Sequence, residues 1–259
     1  MKKTAIASLA ALTLLDISAA TPAAAQDANT FAGAYIGAHA GYSSGDATFK
    51  SAPYIFDGPS DTFPFAARND SFDLEGFIGG VHTGYNFLTP GNMVYGIEGD
   101  WTYLGQDDSV SASGAGVGTT NSDGFTFQRR SEVDFNWQGT IRGRLGFVSG
   151  RTLFFATAGV AFLDVDWSET GSLVDSDVNT TVTVSHSADD TLVGAAVGGG
   201  FEVAITPTVS FGADYLYENF ESFNNVPHGF EPGLTGKLDD IDIHKVRVRL
   251  SIKFGGDTN

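Results

Sequence analysis

The chain has 259 residues, with 31 acidic against 14 basic side chains and a formal charge of −17, a balance that argues against nucleic acid as a partner. Cysteine is absent, which excludes a disulfide framework and thiolate metal sites. Beyond the first 25 residues no run reaches the ~18 apolar residues of a membrane-spanning helix, so a closed sheet is the remaining way for this chain to cross a bilayer.

In chain order, Lys2 and Lys3 precede an apolar run over 5–15 and then Ala23, Ala24 and Ala25. This is the charged, apolar, small-residue order of a secretory signal peptide, with cleavage expected before Gln26. Asp16 ends the run too early for a spanning helix. Without Lys2, Lys3 and Asp16, residues 26–259 hold 12 basic and 30 acidic side chains, a charge of −18. No linker divides them, and one domain is expected.

Eight segments of roughly ten residues then alternate apolar and polar positions, the period of a half-buried strand. The first, 33–42, sets Ala34, Ile36, Ala38, Ala40 and Tyr42 against Tyr35, Gly37, His39 and Gly41. The second, 76–87, sets Phe77, Val81, Tyr85 and Phe87 against Gly80, His82, Gly84 and Asn86. In the third, 94–104, Tyr95, Ile97, Trp101 and Tyr103 oppose Gly96, Glu98, Asp100 and Thr102. The fourth, 133–147, places Val133, Phe135, Trp137, Ile141, Leu145 and Phe147 opposite a polar face containing Asp134, Arg142 and Arg144.

The fifth, 153–162, shows its inner face only through the small residues Thr157, Gly159 and Ala161. The sixth, 191–203, opposes Val193, Val197, Phe201 and Val203 to several glycines and Glu202. The seventh, 209–218, opposes Phe211, Tyr215 and Tyr217 to Asp214 and Glu218. The eighth is HKVRVRLSIKF at 244–254, in which Val246, Val248, Leu250 and Ile252 alternate with Lys245, Arg247, Arg249 and Lys253.

The joins separate a membrane barrel from a soluble sandwich. LTPGNM, VSGRT and AITPT are short turns, whereas the joins near 43–75, 105–132, 163–190 and 219–243 are long. Strict short-long alternation is what periplasmic turns and extracellular loops produce in an outer-membrane barrel. Aromatics agree: Tyr42, Phe77, Tyr85, Phe87, Tyr95, Trp101, Tyr103, Phe147 and Tyr217 lie toward segment ends on the apolar face, where interfacial girdles sit. The fold expected is an all-β, eight-stranded antiparallel transmembrane barrel.

If the apolar alternates face lipid, the charged ones face the lumen. Six acids, Glu98, Asp100, Asp134, Glu202, Asp214 and Glu218, then meet six cations, Arg142, Arg144, Lys245, Arg247, Arg249 and Lys253. An eight-stranded barrel is just wide enough for side chains to fill it. A neutral, cross-linked interior is expected.

The stretches GAYIGAHAGY, GFIGGVHTGYNF, YGIEGDW, TIRGRLGFV, LFFATAGVAF, ADYLYENF and VRVRLSIKF, in this order and spacing, resemble the small outer-membrane β-barrel proteins of alphaproteobacteria. That family includes the Brucella and Bartonella surface antigens labelled "porin family" and is related to the OmpA membrane domain. The resemblance covers nearly all of 31–254 outside the long joins. It implies an eight-stranded barrel of the Gram-negative outer membrane, assembly by the outer-membrane insertion machinery, and surface-exposed antigenic loops; it does not imply an enzyme. Such chains usually end on an aromatic residue, whereas Phe254 is followed here by five more. No peptidoglycan-binding domain is expected after the barrel.

The remaining motifs carry less. GAGVG at 114–118 and GAAVGGG at 194–200 lack the strand-to-helix setting and the lysine of a phosphate loop. His186 and His228 sit among acids without a recognisable nucleophile, so no catalysis and no cofactor is expected. His39 and His82 share the inward face of adjacent segments; hydrogen bonding in the lumen is expected of them, with haemin or metal as the alternative. The stretch 164–190 has seven acids and no Lys or Arg, suited to a solvated loop or to divalent bridging toward lipopolysaccharide phosphates. The expected function is a structural outer-membrane barrel with lipids and lipopolysaccharide as partners. Its alternatives are a low-conductance porin and a loop-mediated binder of haemin or host surfaces.

Overall fold

In a computed structural model of the protein, residues 28–120 and 124–254 are described. The expected signal peptide at 1–25 and the five residues after Phe254 lie outside them. A 3-10 turn at Ala28–Phe31 leads into eleven strands: β1 (Gly33–Ser51), β2 (Tyr54–Asp57), β3 (Thr62–Phe65), β4 (Arg68–Leu88), β5 (Met93–Val117), β6 (Gly124–Ser149), β7 (Thr152–Asp175), β8 (Thr180–Ala204), β9 (Val209–Phe220), β10 (Phe223–Pro227) and β11 (Thr235–Phe254).

Eight of them form a ring. β1, β4, β5, β6, β7, β8, β9 and β11 pair in that order, and β1 closes on β11 from Ala34↔Phe254 upward. Closure satisfies every edge, as a bilayer demands. β10 continues the wall above β9 by pairing with the outer end of β11, and β2 and β3 form a separate hairpin.

The long joins differ from simple loops. β6 has 26 residues, where a bilayer needs roughly 9–11, so the strands rise well above the membrane as one continuous wall. The cause is a change of pattern along each strand. On β11, Val246, Val248, Leu250 and Ile252 are exposed at the bilayer level, while further out Ile243, Ile241 and Leu238 are fully buried. The apolar side has moved from the outside to the inside.

That wall encloses stacked layers. At the periplasmic end Phe31, Val94, Leu153 and Phe155 form an apolar floor. Above it lies the charged layer described below. Next comes a large apolar core that includes Phe49, Phe72, Leu74, Phe135, Leu163 and Trp167, where Trp167 stacks on Phe49 with ring centroids 4.6 Å apart. The β2–β3 hairpin covers the top: Phe63 lies 4.7 Å from Phe125 and Phe65 5.5 Å from Phe230.

Asp134 corrects the expected lumen set. β6 uses three steps from Phe135 to Gln138 where β7 uses two, from Val165 to Leu163. This bulge reverses the alternation, so Val133 and Phe135 are fully buried inside and Asp134 points outward. There it stands in one cross-strand row with Asp107, Asp166 and Asp189.

Candidate functional site: the charged lumen

Because side chains alternate on a strand, the inward positions of β5, β6, β8, β9 and β11 deliver the charges to one level. Arg142 and Arg144 come from β6, Glu98 and Asp100 from β5, Glu202 from β8, and Asp214 and Glu218 from β9, with Lys245, Arg247 and Arg249 from β11. All ten are buried. Five carboxylates face five cations.

The pairing is dense. Arg142 Nη2 lies 2.8 Å from Glu98 Oε1 and 2.5 Å from Asp100 Oδ2. Arg144 Nη2 lies 2.6 Å from Glu202 Oε1, and its guanidinium sits 3.8 Å over the Phe155 ring. Arg247 grips Asp214, its cross-strand neighbour, with Nε at 2.9 Å and Nη2 at 2.7 Å, and reaches Asp100 at 3.1 Å. Such two-pronged contact is the stronger form of ion pair.

Arg249 touches three carboxylates: Glu98, Glu202 at 3.2 Å and Asp214 at 3.1 Å. Lys245 Nζ lies 2.9 Å from Glu218 and also bonds Gln138, which in turn donates to Glu218. Neutral groups take up further lone pairs, Tyr35 Oη donating to Glu98 at 2.8 Å and Ser210 Oγ to Glu202 at 3.1 Å. Lys253 faces inward at the periplasmic mouth, half-buried opposite Tyr35.

Long side chains fit a narrow barrel because glycines stand beside them. A Cβ on Gly200 would lie 2.7 Å from Asp214 Cβ, and one on Gly159 would collide with the Arg142 backbone and stem. His39 and His82 stack with Nδ1 atoms 3.5 Å apart, while their Nε2 atoms meet Thr102 at 3.0 Å and Ser251 at 2.9 Å. Gly37 and Gly80 press directly against these rings. A porphyrin has no room there.

A second buried node lies outside the membrane band, and neither Arg68 nor Glu169 figures among the sequence candidates. Arg68 Nη1 lies 2.6 Å from Glu169 Oε2, Ser131 Oγ donates to the same oxygen at 2.7 Å, and the Gly229 amide donates to Oε1 at 2.8 Å. Burial raises the Glu169 pKa, but Arg68 and these donors outweigh it and hold the carboxyl below its ordinary range. Beside them His228 packs edge-on to Phe49 and Tyr54. Burial, aided by Arg68, pushes its pKa down to about 4. The only sequence signal for Glu169 was its inward phase on β7, which the acid-rich composition of 164–190 obscured.

His186 donates to the Gly229 carbonyl at 2.8 Å, while 114–118 and 194–200 fall on or beside strands β5 and β8. All of them belong to the wall.

A closed, wholly antiparallel ring, with greasy side chains outside and ions within, defines a class: the β-barrels of the outer membrane. The chain belongs to the outer membrane protein β-barrel domain family, whose model matches residues 8–254. It is 30% identical to the 31 kDa outer-membrane immunogenic protein of Brucella melitensis, over 96% of this chain and 95% of that one. It is also 28% identical to the 22 kDa outer membrane protein of Rhizobium leguminosarum bv. viciae, over 69% and 67%. Among solved structures, Neisserial surface protein A aligns over 86% of this chain and 98% of its own, with a TM-score of 0.36 and 12% identity. The protein is therefore an outer-membrane β-barrel of the type represented by these alphaproteobacterial proteins.

Proposed function

We propose that this barrel is a structural component of the outer membrane, closed to diffusion, that strengthens the envelope and presents its tall extracellular end to the surroundings. Arg249 carries the reading: one guanidinium facing three carboxylates on three different strands ties the wall together across the space a channel would need. The apolar floor and core on either side add two further barriers. Wide aqueous pores are built from 16–18 strands. The Brucella relative is named an immunogenic protein, which supports assigning such exposure to the β2–β3 hairpin and the hairpin tips around it.

Planar-bilayer recording tests the proposal. Purified protein inserted in lipid is expected to give no stepwise current. Reproducible open-channel steps from folded, heat-modifiable protein overturn closure and favour a small porin.

A further inference from the structure

Above the membrane the outward positions of β5 to β8 form an array of hydroxyls. Ser111, Arg130, Thr170 and Ser185 stand in one cross-strand row. Ser113, Gln128, Ser172 and Thr183 stand in the next. Neighbours in such a row are about 4.8 Å apart and successive rows about 6.7 Å. Six of these eight residues line a groove of about 630 Å³.

Strand propensity does not explain the composition, because serine is not among the residues enriched in strands. Nor does internal bonding: among the described residues, the hydroxyls of these two rows make no hydrogen bond to the rest of the protein. Charge separates this wall from the rest of the molecule. Two arginines line the groove, and each is matched by a carboxylate, Arg130 by Glu132 at 3.3 Å and Arg129 by Asp70 at 3.3 Å, leaving an almost neutral island on a strongly acidic chain.

A hydroxyl both donates and accepts, whereas a phosphate only accepts and an ammonium only donates. The complement of a neutral hydroxyl array is a ligand that is itself polyhydroxylated. Position selects the source. The array faces sideways, on the same strands that carry Trp101, Tyr103 and Ile141 at the lipid level and two rows beyond the acidic row, so it overlooks the sugar layer beside the barrel above its charged base and not the space over the apex.

We propose that this wall is a saccharide-binding face for the neutral core sugars of the surrounding lipopolysaccharide. It goes beyond the closed-barrel reading and rests only on placement in the outer membrane, so conductance bears on that reading and sugar titration on this one.

The test titrates folded protein in detergent with deacylated, dephosphorylated core oligosaccharide. Binding is expected to survive chelator and high salt, and to weaken at least about tenfold in Ser111→Ala/Thr170→Ala/Ser185→Ala, which removes three net hydrogen bonds from exposed positions. Asp134→Asn/Asp166→Asn, in the acidic row below, is expected to bind like wild type. The proposal is overturned if the triple variant binds unchanged while keeping its heat-modifiable gel shift. It is equally overturned if chelator or the acidic-row variant abolishes binding, which assigns the contact to ion-bridged phosphate, or if only intact lipopolysaccharide binds, which assigns it to the lipid.

Discussion

The bilayer half and the extracellular half of this barrel are built by the same strands and obey opposite rules. Within the membrane, Val248 and Ile141 are exposed while Arg247 and Arg142 are buried. Above it, Ser71 and Thr183 are exposed while Phe72, Leu163 and Trp167 are buried. The backbone geometry is continuous, so the difference lies in the solvent on the outside: hydrocarbon below, water above. Each half places outward what its own surroundings accept and fills the inside with the remainder: the lower half neutralises its interior charge by charge, while the upper half packs apolar side chains around the Arg68–Glu169 pair.

Breaking the lower half should have the largest effect. Arg247→Ala removes the two-pronged partner of Asp214 and leaves the buried network one positive charge short, which should cost about 3–5 kcal/mol, read as a lowered unfolding temperature of the heat-modifiable form. A melting curve unchanged from wild type would mean that these charges are solvated.

Placing one cation on each outer surface sharpens the contrast. Val248→Arg faces lipid and should destabilise by about 2–4 kcal/mol, whereas Ser71→Arg on the outer face of β4 should stay within about 0.5 kcal/mol of wild type. Equal effects on refolding into lipid vesicles would contradict the assigned membrane boundary.

In the upper half, pH acts through His228. His228 is held neutral in the folded state with its pKa lowered to about 4, so the unfolded chain binds more protons between its usual value near 6.5 and about 4. Stability is therefore fully present above about 6.5 and declines as pH falls through that window. Glu169, with its lowered pKa, adds a loss only at still lower pH. Amide exchange around β10 and the β2–β3 hairpin should accelerate on acidification before exchange in the membrane band does, and His228→Gln should remove that early phase.

The smallest effect concerns the outer acidic row. Like charges opposed across strands repel, and burial, Glu132, Asp107 and Asp166 together raise the Asp134 pKa. Asp134→Asn should stabilise the protein by about 0.2–1 kcal/mol at neutral pH and remove the relief of repulsion that protonation of Asp134 contributes on acidification. Destabilisation in denaturant melts would show that the carboxylate serves a contact worth more than its repulsion costs.

The ring of eight strands, its short turns and its lipid face were legible because alternation over about ten residues is a local signal. The extracellular walls were harder to read: at the boundary the apolar alternates change sides, and a segment such as 161–167 then reads as neither a lipid-facing strand nor a loop. Asp134 failed for a still more local reason, one bulge at Phe135–Gln138 that reverses the phase and leaves no mark in composition. Arg68 and Glu169 are 101 residues apart, and nothing short-range links them. The hydroxyl rows become visible only once four strands are set in register.

The seam between β1 and β11 gives the order of synthesis a physical meaning. Three of the five central cations arrive on the final strand, so a chain lacking it holds five carboxylates against two arginines along a half-built trough. That intermediate repels itself and invites water. Docking of the last strand discharges the trough and joins the wall in a single event, so the barrel is most strongly stabilised at the moment of its completion.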